Sequence, residues 1–382
     1  MKKRLFLGIL ALAAVAVSCS KDVVVNEVPQ DQPIEFGTYL GRDAQTKGTV
    51  TNLNNLKSIG FGVYSYYTTS TKGLDSYFGN SGTATTAENQ FKPNFMDNQQ
   101  VSWDTNWDYT PKKYWPKGND DYRLSFFAYS PFDNDDNIDK YIEHSYTSTG
   151  KYGQPLLTYT IPNEVSNHQD ILFAPISQNT EITKDSNLNS DKSTVKFHFF
   201  HALSRIGFAV KAAADYTEAT ITVNSITLTG KIKNNGTMNL YTATANIETG
   251  TQGQQGYIEA RNNPGWNLTD QNNNISYVLS GLTTTANNSE FTSIGTNYIM
   301  IFPQSFDASD LTIAVDYTVT YSQPQSVSIN NSVSVQNTNA ITFNAGKAYT
   351  FNLSIGLDAI NFTADVEDWD TTHQNKDINI NI

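Results

Sequence analysis

Apolar and polar residues alternate along much of this chain. Residues 59–66 run Ile, Gly, Phe, Gly, Val, Tyr, Ser, Tyr, and residues 123–129, 206–210, 221–228, 311–320 and 348–355 alternate in the same way. Each segment is short, rich in β-branched and aromatic residues, and bounded by Gly, Asn, Asp or Pro, which predicts half-buried strands. Helical spacing with capping residues is hard to find. Many short strands joined by polar turns predict an all-β chain built of antiparallel sandwiches instead of strand–helix–strand units. The polar stretch 177–193 lies near the middle and predicts an N-terminal sandwich over residues 34–185 and a C-terminal sandwich over residues 190–382. A second polar stretch, 242–274, is rich in Gly, Asn and Gln and is expected as a long excursion of the second unit. No fixed-period repeat is visible, and at ~150 residues per domain the length of 382 fits two domains.

The first residues break this pattern. Lys2, Lys3 and Arg4 precede an apolar run over residues 5–17. That run falls short of the roughly 20 residues a bilayer requires and fits the core of a signal peptide over residues 1–18. Ala16, Val17 and Ser18 then lead into Cys19, the only cysteine of the chain. The segment resembles a bacterial lipobox with Ala16 where Leu is usual, so Cys19 is the expected lipidation site. The alternative is an ordinary secretory signal followed by an unrelated cysteine. Residues 19–33 contain Pro29 and Pro33 and are expected as a lipidated tether. The body is expected at the cell outer membrane, exported and held by lipid instead of a spanning helix.

Composition narrows the function. The formal charge is −12, and removal of residues 1–18 takes it to −15. Such a surface repels phosphate, so no nucleic-acid partner is expected. The chain holds 21 Tyr and 20 Phe, which excludes a disordered class poor in aromatics, and a lone cysteine excludes an internal disulfide.

Catalytic and metal-binding patterns each fail a check. His198 and His201 lie three apart, a spacing that sends them to opposite faces of a strand and away from a shared metal. Residues 133–139 carry Asp133, Asp135, Asn137 and Asp139 at calcium-loop spacing, but Ile138 stands at the sixth position and His144 at the twelfth, so a solvated turn is expected. Gly60 and Gly62 lack the third glycine of a dinucleotide site, and no Gly-x-Ser-x-Gly elbow occurs. A glycosidase needs two carboxylates ~5–9.5 Å apart, which the sequence alone does not pair. No enzyme, metal or cofactor is expected. Trp103, Trp107 and Trp115, with Tyr114, form an aromatic cluster. Exposed as a flat row they would stack on sugar rings, which is the alternative reading of a glycan-binding surface lipoprotein. Aromatic side chains are more often core, and core is the expectation here.

The same segments resemble the Bacteroidota fimbrillin family, the FimA/Mfa-like pilins. Trp103, then Tyr114, Trp115 and Pro116, then residues 124–131 are similar to one family segment, and residues 170–174 (Asp, Ile, Leu, Phe, Ala) to another. Residues 195–206 resemble the strand that opens the family's second domain, residues 298–304 a later strand, and residues 341–351 with Val366, Glu367, Asp368 and Trp369 its ending. The series keeps the family order over nearly the whole chain after Cys19.

This resemblance implies two tandem transthyretin-like β-sandwich domains and a stalk, tip or anchor subunit of a cell-surface fimbria supporting adhesion. Its implied partners are other pilin subunits, the outer membrane through the lipid, and host or bacterial surface ligands. It also implies assembly by strand exchange: an Arg/Lys-specific protease removes the first strand, and a strand from the next subunit fills the groove by β-augmentation. The corresponding strand here carries Ile34, Phe36, Tyr39 and Leu40, followed by Arg42 and Lys47 as candidate cleavage positions, with lysine where the family has arginine. The tail alternates Ile378, Ile380 and Ile382 with polar residues, as an edge strand does. It is a candidate donor, and pairing within its own domain is the alternative.

Overall fold

The computed structural model describes residues 33–40, 52–69, 91–116, 122–133, 141–148, 152–175, 194–250, 257–270, 273–286, 289–322, 327–357 and 360–368, with Leu74, Phe78 and Ile182–Thr183. The first half contains β1 (Glu35–Leu40), α1 (Leu53–Ile59), β2 (Phe61–Thr69), β3 (Met96–Trp103), β4 (Trp107–Asp108), β5 (Tyr122–Ser130), β6 (Ile142–Tyr146), β7 (Pro155–Thr160), β8 (Leu172–Ala174) and β9 (Ile182–Thr183). There follow β10 (Thr194–His201), β11 (Ser204–Ala212), β12 (Ala219–Gly230), β13 (Asn235–Asn239), β14 (Thr244–Gly250), β15 (Tyr257–Asn263), β16 (Asn267–Leu268), β17 (Ile275–Leu279) and β18 (Thr284–Ala286). The last are β19 (Thr292–Ser293), β20 (Ile299–Ile301), β21 (Gln304–Phe306), β22 (Leu311–Tyr321), β23 (Val327–Gln336), β24 (Ile341–Phe343), β25 (Lys347–Ile355) and β26 (Ile360–Asp368).

The protein is all-β, and the alternating segments of the sequence lie within β2, β5, β11, β12, β22 and β25. One boundary moves. Ile59 ends α1 instead of opening a strand, because Asn52 caps the helix by accepting the Asn55 N–H at 2.9 Å and Gly60 stops it at φ 69°. A Cβ at Gly60 would sit 2.7 Å from the Val101 carbonyl oxygen, so glycine also allows the close approach of β3.

The N-terminal sheet runs β1–β10–β8–β5–β2–β3–β4, with β9 beside β5. Its side chains alternate between two cores. Phe61, Val63, Leu124, Phe126, Ala128, Leu172, Ala174, Val195, Phe197 and Phe199 face one, with Phe36 and Trp107. Tyr64, Tyr66, Phe127, Tyr129, Phe173 and Phe200 face the other, which continues through β7, β12, β22 and β25 as the larger hydrophobic cluster. Burial on both faces explains the continuous apolar run Phe126, Phe127, Ala128, Tyr129 in β5.

Two differences from the expected antiparallel sandwiches stand out. β1 pairs β10 in parallel and β11 pairs β25 in parallel. Strands so distant in sequence are joined by no hairpin, so neither pairing is forced to be antiparallel. The expected division at 185–190 is crossed by pairing: β10, placed at the head of the C-terminal unit, joins β1 and β8, and β7 joins β13 in the sheet β16–β13–β7–β6. Apart from Ile182–Thr183, which pair with Leu124 and Arg123 of β5, residues 176–193 lie outside the described residues. The 242–274 excursion contains the β14–β15 hairpin and β16.

The chain passes from β10 to β11 through a fully buried corner. The Ile171 carbonyl accepts from Ala202 N–H at 2.8 Å, the His201 carbonyl from Asn262, the Ala202 carbonyl from the Trp266 indole, and the Leu203 carbonyl from Gly346 N–H. Each polar backbone group named here has a partner, which is what makes a buried corner tolerable.

Candidate functional site: the first strand in its groove

β1 alternates as its sequence requires. Ile34, Phe36 and Leu40 are buried, while Glu35 and Tyr39 are exposed. Phe36 stacks on Phe197 at 5.5 Å between ring centroids and meets Tyr109 at 5.2 Å, Phe126 at 6.1 Å and Phe61 at 6.2 Å. Burying such a side chain stabilises by about 1.5–3 kcal/mol.

Both flanks of β1 are engaged. On one side it pairs β10 from Glu35 opposite Thr194 to Leu40 opposite Phe199. On the other, Ile34 N–H donates to the Lys113 carbonyl at 2.9 Å, and Tyr109 donates its hydroxyl to the Ile34 carbonyl at 2.9 Å. Burial pushes the Tyr109 hydroxyl up to about 12, keeping it a donor at neutral pH. Pro33 forms a bridge with Tyr114, and the Trp107 indole donates to Thr38. β4 is the far end of the sheet, so these contacts bring its two ends together around the smaller core. β1 is the piece that completes the curl, and a strand held this way has an apolar slot cut to its inward row.

The aromatic cluster serves this slot. Trp107 and Trp115 are buried, and Trp103 is half-buried, with the Lys57 ammonium 4.0 Å from its ring centroid. Tyr114 is 46% exposed but stands apart from any exposed row of tryptophans, so the glycan reading loses its motivation.

His198 and His201 separate as their spacing predicts. His198 is half-buried, its ring 5.0 Å from Tyr39, whereas His201 is buried with Nδ1 2.9 Å from the Asp170 carboxylate. The His201–Asp170 pair, beside the β10–β11 corner, went unseen in the sequence. Its two members lie 31 positions apart, and no local spacing signals the contact. Also unseen was His168. Its Nε2 donates to the Pro162 carbonyl at 2.9 Å while Nδ1 accepts Met300 N–H at 3.0 Å, a neutral ring clamped between β20 and the segment before β8. Burial lowers it to about 4.

Among the described residues no three His, Cys, Asp or Glu gather as a metal site, and no helix is long and apolar enough to cross a membrane. Cys19, Arg42, Lys47, Ile378, Ile380, Ile382 and residues 134–139 lie outside the described residues.

A family model described as fimbrillin-like matches residues 54–369. The chain is 29% identical over 243 residues to the fimbrium subunit Fim1C of Phocaeicola vulgatus, covering 63% of this chain and 59% of that protein. The match thus spans about three fifths of that relative's length. In fold it is similar to a crystallised fimbrial protein from Bacteroides vulgatus ATCC 8482, with a TM-score of 0.60, 19% identity, and coverage of 88% of this chain and 99% of the other.

Proposed function

The chain belongs to the fimbrillin-like family, and from that premise we propose that it is a structural subunit of a cell-surface fimbria that assembles by replacement of β1. In this reading Cys19 carries the lipid during export, cleavage after Arg42 or Lys47 frees β1, and a strand of the next subunit enters the slot. Stalk, tip and anchor roles remain equal members of the proposal. The two-domain organisation is part of it, with two transthyretin-like lobes joined both by the β7–β13 pairing and by the β10–β11 corner at 201–204.

The observation that carries the proposal is the position of β1. It is the first described strand, lies at a sheet end, and contributes Ile34, Phe36 and Leu40 to a core otherwise supplied by later segments. Leaving that slot empty exposes apolar surface at ~25 cal/mol per Å², so an incoming strand with alternating apolar residues is strongly favoured.

N-terminal sequencing of protein recovered from assembled surface material tests this. A start at Asp43 or Gly48 is expected. An acylated Cys19 on all of that material overturns removal of β1.

A further inference from the structure

β23 ends the sheet β17–β12–β22–β23, and among the described residues no strand lies beyond it. It pairs with β22 in unbroken register from Thr312 opposite Gln336 to Tyr321 opposite Val327. Its inner hydrogen-bonding groups are therefore used, while alternate N–H and C=O groups on the other flank face outward.

Other sheet ends in this protein are blunted in recognisable ways. β16 and β19 are two residues long and β17 is five. β26 carries the exposed Asp365 and β6 the exposed Glu143. β1 is covered by the 107–114 segment. β23 has none of these devices. It is ten residues long, without proline, charge or bulge. Asp316 and Lys347 are consecutive charged residues in the sequence, leaving 30 uncharged positions between them.

We infer that β23 is a self-association edge, on which two copies of this chain pair antiparallel across a two-fold axis and extend the sheet between them. Two observations select a second copy as the occupant. With the axis at Asn331, Ile329 opposes Val333 of the other copy and Asn330 opposes its Ser332, so apolar meets apolar and polar meets polar. Ile329 is 47% exposed and Val333 half-buried, so both have surface left to cover. The second observation is charge: in a chain at −12, β23 offers an edge with no charged residue of its own, the carboxylate set opposite it being Asp316, which Ser332 hydrogen-bonds. A single strand edge buries less than the ~1,200 Å² of a standard interface, so the dimer is weak and concentration-dependent.

Sedimentation velocity of the purified full chain over a wide concentration range tests this, with near-UV circular dichroism as the check on folding. The expected result is a reversible dimer that Ile329→Lys weakens by about tenfold or more, since edge lysines oppose strand pairing. Ser334→Lys, at an exposed position, is expected to act likewise and decides the matter if Ile329→Lys fails to fold. Added salt is expected to strengthen the dimer by screening like-charged bodies. A monomer at every concentration, or a dimer indifferent to both lysines, overturns the inference. So does hydrogen exchange showing the outward β23 amides already protected in the dilute monomer, which would mean that another segment of the chain covers the edge.

Discussion

Trp107 donates its indole N–H to the Thr38 hydroxyl at 3.0 Å, joining the last strand of the N-terminal sheet to the first. Thr38 is the polar member of a row that otherwise reads Ile34, Phe36 and Leu40. A half-buried hydroxyl there gives the indole a partner and marks one register of β1 in its slot. A one-residue slip would turn the whole row outward.

Thr38→Val keeps the shape and removes the acceptor. Because the buried indole N–H then has no partner, destabilisation of about 1–3 kcal/mol is expected. Phe36→Ala removes a ring packed against four others, and about 3–5 kcal/mol is expected. Urea denaturation of the uncleaved chain measures both. A loss below 1 kcal/mol for Phe36→Ala would mean that β1 is not part of the folded core.

Replacing both Arg42 and Lys47 by Gln is expected to leave a folded chain that keeps β1 and does not polymerise under an Arg/Lys-specific protease. Each single replacement identifies the bond used. Gel filtration after protease treatment reads the outcome, and polymer formation by the double variant would rule out cleavage at these positions as the trigger.

Truncation after Asp370 removes Ile378, Ile380 and Ile382. If this tail is the donated strand, the truncated chain accepts a partner but cannot extend a fibre, so mixing it with intact chain shortens polymers. Unchanged polymer length would exclude the tail as donor.

His168 predicts a pH dependence of stability. Its folded value, lowered by burial to about 4, lies below the 6.5 of an unfolded histidine. As pH falls from 6.5 to 4 the unfolded chain binds a proton that the folded chain refuses, so stability is full above 6.5 and declines by about 3 kcal/mol across that window. His168→Gln is expected to flatten this slope in denaturation at pH 7 and pH 4.5. An unchanged slope would assign the effect to other groups.

Much of the fold was legible because local chemistry sets it. The alternation in β12 and β22 needs only the two-residue period of a strand, whereas β2, β5 and β11, expected to be half-buried, are buried on both faces by the layers packed against them. α1 was not legible, since its seven residues bury only Leu56 and offer no apolar stripe to read. The slot was half legible: Ile34, Phe36, Tyr39 and Leu40 were marked as a strand by the family resemblance alone, and Trp107, Tyr109 and Phe197 were only a nearby cluster and a distant strand. No spacing rule connects residue 38 with residue 107, or residue 170 with residue 201.

By itself the sequence determined that the chain is all-β, where six of its strands alternate, and which family it resembles. Those properties depend on side-chain period and on short ordered motifs. The tertiary structure decided which strand lies beside which. Only in three dimensions does β1 run parallel to β10 and close the sheet against Trp107, and only there does β23 emerge as the long uncharged edge. Pairing of this kind is set by cooperative burial between segments far apart in the chain, where shape and hydrogen bonding choose among strands whose individual patterns are alike.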